Sequence, residues 1–178
     1  MANDPASTST TASESPEARL LALLGDHGQL QIATAESCTG GNVAARLTSV
    51  SGSSAYVQGG LVTYSNAAKE NLLGVPREIL ASVGAVSSEC AVAMADGARR
   101  AYRADVAVST TGIAGPTGAT ARKPVGLVYI ALADGRETTV EEHHFSGDRL
   151  AVTTAATERA LQLLVSGVER LLAAHETA

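Results

Sequence analysis

Apolar residues recur along this chain with two different periods, and the switches between them mark out its elements. Leu20, Leu21, Leu23 and Leu24 follow Pro16 at helical spacing, and Gly25 and Gly28 end the stripe. Leu30 to Thr34 then alternates, the period of a half-buried strand. Val43, Ala44 and Leu47 return to helical spacing beyond the turn at Gly40 and Gly41. Tyr56 to Tyr64 reads as a strand, and Gly59 and Gly60 inside it predict a bulge or the close approach of another group. Asn66 is placed to cap a short helix from Ala67 to Leu73, with Gly74 as its stop. Pro76 suits the first turn of another helix. Ser87 and Ser88 suit the cap of a longer one carrying Cys90, Val92, Met94, Ala98 and Ala101.

Asp105 to Thr110 predicts a buried strand that runs into a glycine-rich loop, Gly112 to Gly118. Val125 to Ala133 and Glu137 to Phe145 predict a hairpin turning at Asp134 and Gly135. A last helix begins near Asp148 and turns Leu150, Ala151, Ala155, Leu161, Leu164, Val168 and Leu171 toward the core. Strands alternating with helices predict an α/β fold with a mixed central sheet covered by helices on both faces. Residues 1–16 are Ala, Ser and Thr with scattered acids and offer little to bury. They predict a disordered tail ahead of one domain over residues 17–174. The full length of 178 residues suffices for one such domain.

Composition narrows the function classes. Aromatic residues are only 3% and Trp is absent, so the core must be built from small aliphatic side chains. The same scarcity argues against base-stacking platforms for single-stranded nucleic acid. A net charge of −5 supplies no basic field to attract a polyanion, whereas one or two local donors suffice for a small phosphorylated ligand. The two cysteines, Cys38 and Cys90, form neither a disulfide framework nor a zinc-binding spacing. No basic start with a long apolar run marks a signal peptide, and no apolar stretch has the length of a membrane span. A cytoplasmic location, no membrane or nucleic-acid partner, and no metal or cofactor are the resulting expectations.

Four constellations carry candidate chemistry. In Thr34-Ala35-Glu36-Ser37-Cys38-Thr39-Gly40-Gly41, polar side chains cluster where a strand gives way to a helix. Unpaired N–H groups there can hold an oxyanion or a phosphate, with Thr39, Gly40 and Gly41 the natural donors. Ser37 is a candidate nucleophile and Cys38 its rival, and spacing alone does not choose between them. On spacing alone the simpler role for the same hydroxyls is to cap the helix. In Val62-Thr63-Tyr64-Ser65-Asn66-Ala67-Ala68-Lys69, Lys69 is one of two lysines among 13 basic residues, the other being Lys123. His27, His143, His144 and His175 lie outside the polar motifs. A desolvated lysine can replace histidine as the base of a serine nucleophile. Tyr64 is placed to relay a proton or to pack in the strand. The loop from Thr111 through Gly112 and Gly115 lets backbone approach a ligand. Arg149, in Phe145-Ser146-Gly147-Asp148-Arg149, can grip a phosphate or carboxylate, or pair with Asp148.

These motifs, with Gly84-Ala85-Val86-Ser87 and Lys123-Pro124-Val125-Gly126, together resemble the CinA C-terminal domain family over roughly residues 17–172. The resemblance implies a three-layer α/β/α sandwich and the hydrolysis of nicotinamide mononucleotide to nicotinate mononucleotide and ammonia, a step in pyridine nucleotide recycling. It assigns the nucleophile to Ser37, the base to Lys69, a catalytic tyrosine to Tyr64, and ligand contacts to Thr111 and Arg149. A homo-oligomer is implied as well. A non-catalytic nucleotide-binding module is the other reading, for which the family's ties to competence and DNA damage speak. Relatives often carry a larger molybdopterin-binding-like domain ahead of this one, and here residues 1–16 stand in its place. Ala119 to Arg122 depart from the family's usual loop.

Overall fold

A computed structural model describes residues 15–25 and 30–176. Most of the expected N-terminal tail, together with His27 and Gly28, lies outside the described residues. Ser15 accepts a hydrogen bond from the Ala18 N–H and opens helix α1 (Pro16–Leu24). The chain continues through β1 (Ile32–Glu36), α2 (Asn42–Thr48), β2 (Val57–Val62), α3 (Asn66–Leu73), α4 (Arg77–Ser82) and α5 (Ser88–Tyr102). Then follow β3 (Val106–Gly112), β4 (Leu127–Ala133), β5 (Thr138–His144) and α6 (Arg149–Glu176).

The five strands lie in the order β2-β1-β3-β4-β5. β1 runs parallel to both of its neighbours, while β3, β4 and β5 are successively antiparallel. The sheet is therefore mixed, as the element order predicts. The chain passes from β1 to β2 on one side and returns to β3 on the other. That reversal leaves a crevice beyond the carboxyl end of β1, the usual ligand site of open α/β sheets.

Strand alternation sorts the side chains onto two unlike faces. Ile32, Val106, Val108, Val128, Ile130 and Leu132 point toward α1, α2 and α6 and pack with Leu20, Leu47, Leu161 and Leu164. Ala33, Ala35 and Ala107 point the other way, toward α3 and α5, and meet Leu73, Cys90, Met94 and Ala98. One face is thus built from large aliphatics and the other from alanine, so α5 can lie close to the sheet. The result is three layers, α/β/α. Gly97 in α5 extends the pattern, because a Cβ there would stand 2.2 Å from the Leu73 carbonyl oxygen at the end of α3. The close approach fixes where α3 lies.

Gly59 and Gly60 fulfil both expectations for them. The register slips between Ile32 and Ala33, opposite Val57 and Gly59. A Cβ on Gly60 would stand 2.2 Å from the Thr34 hydroxyl. Two local expectations need correction. Ser65, not Asn66, caps α3: its hydroxyl accepts from the Ala68 N–H at 3.1 Å, and Asn66 is already inside the helix. Leu150 and Ala151 do not enter the core; both are exposed, Leu150 by 72%. The first turn of α6 lies over the crevice rather than over the sheet, where Arg149 reaches to Gly115 and Tyr64. Among the described residues no helix is long and apolar enough to cross a membrane.

Candidate active site

Ser37 follows the last residue of β1 and is tied into the sheet on both sides. Its N–H donates to the Thr110 carbonyl of β3 at 2.9 Å, and the carbonyl of Glu36 accepts from the Thr63 N–H beyond β2 at 2.8 Å. The alternation that turns Ile32, Thr34 and Glu36 toward α2 turns Ala33, Ala35 and then Ser37 toward α3. Lys69 occupies the second turn of α3. Its Nζ lies 3.0 Å from Ser37 Oγ and donates to the Thr63 carbonyl at 2.6 Å. Lys69 is only 1% exposed, and no carboxylate pairs with it among the described residues.

That environment sets the chemistry of the amine. Burial lowers the Lys69 pKa below its usual 10.5, while the neighbouring Cys90 and Cys38 pull weakly the other way. A lysine of this kind gives up its proton more readily than one on the surface, which is what a base must do. Cys38 is affected in the opposite sense. It packs into the large-aliphatic core, and burial pushes its thiol up to about 12. At neutral pH such a group remains a thiol, which makes Cys38 the poorer of the two nucleophile candidates.

The pair opens into a cavity of about 300 Å³. Its walls include Tyr64 and Asn66 at the start of α3, Ala85 and Val86 before α5, and the segment from Thr111 to Gly115. Thr111 donates its hydroxyl to the Ala85 carbonyl at 2.7 Å, tying two of these walls together. Arg149 closes one side. Its guanidinium donates to the Gly115 carbonyl at 2.9 Å and to the Tyr64 hydroxyl at 3.0 Å. It takes no carboxylate partner among the described residues; Asp148 instead accepts from the Ala151 N–H at the start of α6. A broader groove of about 730 Å³, partly floored by Leu150 and Val125, adjoins through Ala114 and Arg149.

Of the residues singled out from sequence, the fold gathers Ser37, Cys38, Lys69, Tyr64, Thr111, Gly112, Gly115 and Arg149 around one cavity. It leaves Thr39, Gly40 and Gly41 out of the lining. Thr39 is buried and donates to Glu36 Oε2 at 2.6 Å. Gly40 donates its N–H to the Ser37 carbonyl, and Gly41 donates to Glu36 Oε2 at 2.9 Å. Both glycines have positive φ, 64° and 100°, as the tight turn between β1 and α2 requires. Of the N–H groups expected to form an oxyanion hole there, that of Gly41 is committed to Glu36 and that of Gly40 to the Ser37 carbonyl. Sequence reasoning gave Glu36, Asn66, Ala85 and Val86 no part in the site. For Glu36 a signal existed: the period-2 pattern that aims Ser37 one way aims Glu36 at the opening of α2.

The assembled geometry has counterparts in known proteins. The chain is 53% identical over 152 residues to a CinA-like protein of Syntrophus aciditrophicus, an alignment that covers 85% of this chain and 36% of that relative. It thus spans about a third of the length of the curated relatives it matches. A crystal structure of the competence/damage inducible protein CihA from Agrobacterium tumefaciens matches with a TM-score of 0.82 and 42% identity, covering 85% of this chain and 93% of that one. A competence-damaged protein (CinA) superfamily structure from Enterobacter cloacae matches with a TM-score of 0.81 at 35% identity, over 94% and 98% of the two chains. The family model of the CinA C-terminal domain spans residues 13–168, which include every residue of the cavity described above, and the chain belongs to that family.

Proposed function

We propose that this chain hydrolyses the carboxamide of nicotinamide mononucleotide, releasing nicotinate mononucleotide and ammonia, with Ser37 as nucleophile and Lys69 as base. The observation that carries the reading is the buried Lys69 Nζ at 3.0 Å from Ser37 Oγ, with its pKa lowered by burial. The substrate follows from the family resemblance and from the chemistry of the walls. Arg149 is the cation lining the cavity, beside the partly neutralised Lys69. Such a site favours a ligand that carries an anionic group beside a neutral amide, and Arg149 can offer that anion a fork of donors.

The steps balance without any further reactant. Neutral Lys69 takes the Ser37 hydroxyl proton as Oγ bonds to the carboxamide carbon, giving a tetrahedral oxyanion. The Gly41, Val43 and Ala44 N–H groups donate to Glu36 and that of Gly40 to the Ser37 carbonyl, and on the opposite wall the Ile113 N–H donates to Leu127, so the oxyanion is assigned to backbone donors at Gly112, Ala114 and Gly115. The carbon–nitrogen bond then breaks, and the leaving nitrogen takes the proton from Lys69 and departs as ammonia. Water adds to the acyl-enzyme, giving its proton to Lys69, and that proton returns to Ser37 as the nicotinate product leaves. The direct Lys69–Ser37 contact makes a relay through Tyr64 unnecessary, and the Tyr64 hydroxyl is engaged by Arg149. Tyr64 is then a wall of the site that shapes ligand entry.

The test is ammonia release from nicotinamide mononucleotide by the parent protein and by Ser37→Ala. The parent should turn over, and the variant, which removes one hydroxyl, should fold normally and lose about 10³-fold or more in kcat. Folded parent protein that releases no ammonia overturns the substrate. Undiminished release by the variant overturns the nucleophile.

A further inference from the structure

Glu36 takes no part in the steps above, yet it adjoins Ser37 in the chain and is only 1% exposed. Its side chain is fully engaged. Oε2 accepts from the Thr39 hydroxyl at 2.6 Å, the Gly41 N–H at 2.9 Å and the Val43 N–H at 3.1 Å. Oε1 accepts from the Ala44 N–H at 2.8 Å. Among the described residues no Lys, Arg or His forms an ion pair with it. The partners of this buried carboxylate are therefore the opening turn of α2 and one hydroxyl. Thr39 is itself 2.7 Å from the Thr110 hydroxyl, which extends the network to β3.

We infer that Glu36 is the positioning residue of Ser37. The backbone at this junction is held by three elements. The Thr63 N–H grips the Glu36 carbonyl from the β2 side, and the Thr110 carbonyl accepts the Ser37 N–H from β3. The Glu36 carboxylate ties the third, α2, to the same two residues. Strand alternation sends Glu36 to one face and Ser37 to the other, so a carboxylate fixed on α2 leaves Ser37 Oγ one direction, toward Lys69. The N–H groups it occupies are lost to any ligand, so anion recognition falls to the other walls of the cavity. The inference rests on reading Ser37 as the nucleophile, but not on the identity of the amide.

The experiment therefore reads Ser37 itself. A fluorophosphonate, which forms a covalent bond with activated serine hydroxyls and releases fluoride, is timed by mass spectrometry on the parent, Glu36→Gln and Thr39→Val. Glu36→Gln turns one acceptor oxygen into a donor facing an N–H. A displacement of Oγ by a fraction of an ångström to one ångström should slow labelling by about 10²-fold. Thr39→Val removes a single hydroxyl and should slow it by about tenfold, so it decides the matter if Glu36→Gln fails to fold. With nicotinamide mononucleotide, kcat should fall in step with labelling, KM should stay within about twofold, and the pH of half-maximal rate should not move, since Lys69 keeps its surroundings. A merely structural role would instead raise KM and lower kcat together as the cavity loosens. Labelling at the parent rate in both variants, a KM that rises along with the loss of kcat, or a parent that does not label at all overturns the inference. Parent protein that labels Ser37 but releases no ammonia removes the proposed substrate and leaves the role of Glu36 standing.

Discussion

Replacing Lys69 by Met tests whether the fold holds this amine partly against its protonation. In the unfolded chain the amine titrates near 10.5, and in the fold burial draws it lower. Between those two values the unfolded chain binds more protons than the folded one, so stability rises with pH across that window. Below the window both states carry the proton, and the folded state bears the whole cost of a buried ammonium. Above it both are neutral and the cost is gone. A single proton limits the slope to about 1.4 kcal/mol per pH unit. Methionine has similar length and no titration. It leaves the Thr63 carbonyl without its 2.6 Å donor, which costs about 1–3 kcal/mol. That loss does not depend on pH, whereas the relief from burying a cation does. Cys38 works in the opposite sense: with its thiol moved from 9.0 to about 12, the folded state holds that proton longer and loses stability as pH rises above 9.0. The Cys38 contribution is present in both proteins and largely cancels in their difference. The assay is urea unfolding of the parent and Lys69→Met from about pH 6.5 to about pH 10.5, so that the range reaches the ordinary lysine value that bounds the window. Relative to the parent, the variant should be best placed at the acidic end and lose ground as pH rises, by no more than one proton's slope. Parent turnover should climb over the same interval. A stability difference that stays flat across the range refutes the reasoning, because the amine would then titrate alike in both states.

Three other outcomes follow from contacts already described. Gly97→Ala places a Cβ 2.2 Å from the Leu73 carbonyl; the helices must separate, costing about 1–3 kcal/mol in denaturant unfolding and lowering kcat as Lys69 shifts. Arg149→Ala removes the donors to Gly115 and Tyr64 at a half-exposed edge, so stability should change by about 1 kcal/mol or less. Its KM for nicotinamide mononucleotide should rise by about tenfold or more, with a much smaller change for the nucleoside that lacks only the phosphate. Cys38→Ala should keep most of the parent's ammonia release, and in the folded parent Cys38 should resist alkylation by iodoacetamide at neutral pH, because burial holds it as a thiol.

Much of the fold was legible because the chain writes its elements in two clear periods. Ile32 to Glu36, the glycines after it and the stripe of Val43 and Leu47 spell strand, turn and helix in sequence. Lysine scarcity marks out Lys69, and the expected helix, Ala67 to Leu73, differs from α3 by one residue. Its burial was not legible, because Gly97 and the alanines of α5 that bring α3 inward lie almost thirty residues further along, roughly two elements away in the chain. The misassigned cap has a local reason. Ser65 and Asn66 are adjacent and both favour the cap position, and only the backbone reveals that Ser65 has the extended conformation a cap requires. Leu150 looked like core because it continues a helical stripe, and periodicity does not say where the helix outruns the sheet. Thr39 and Gly41, which the fold leaves out of the cavity, share one cause. A strand-to-helix junction rich in donors suggests a ligand, unless the chain supplies its own acceptor, and Glu36 does.

The means by which the Lys69 pKa is lowered carries a consequence for the conditions under which such a site works. An amine can also be disfavoured as an ammonium by a neighbouring cation, and that repulsion fades as dissolved ions screen it, with a range of about 8 Å at physiological ionic strength. Here the dominant cause is exclusion of water from a side chain that is only 1% exposed. Dissolved ions do not reach that contribution. The pH at which the base becomes available should therefore hold steady between dilute buffer and concentrated salt, even as attraction of an anionic ligand to Arg149 weakens. Salt would then act on capture and leave the proton transfer alone, which lets a cell's ionic composition vary without retuning the chemistry.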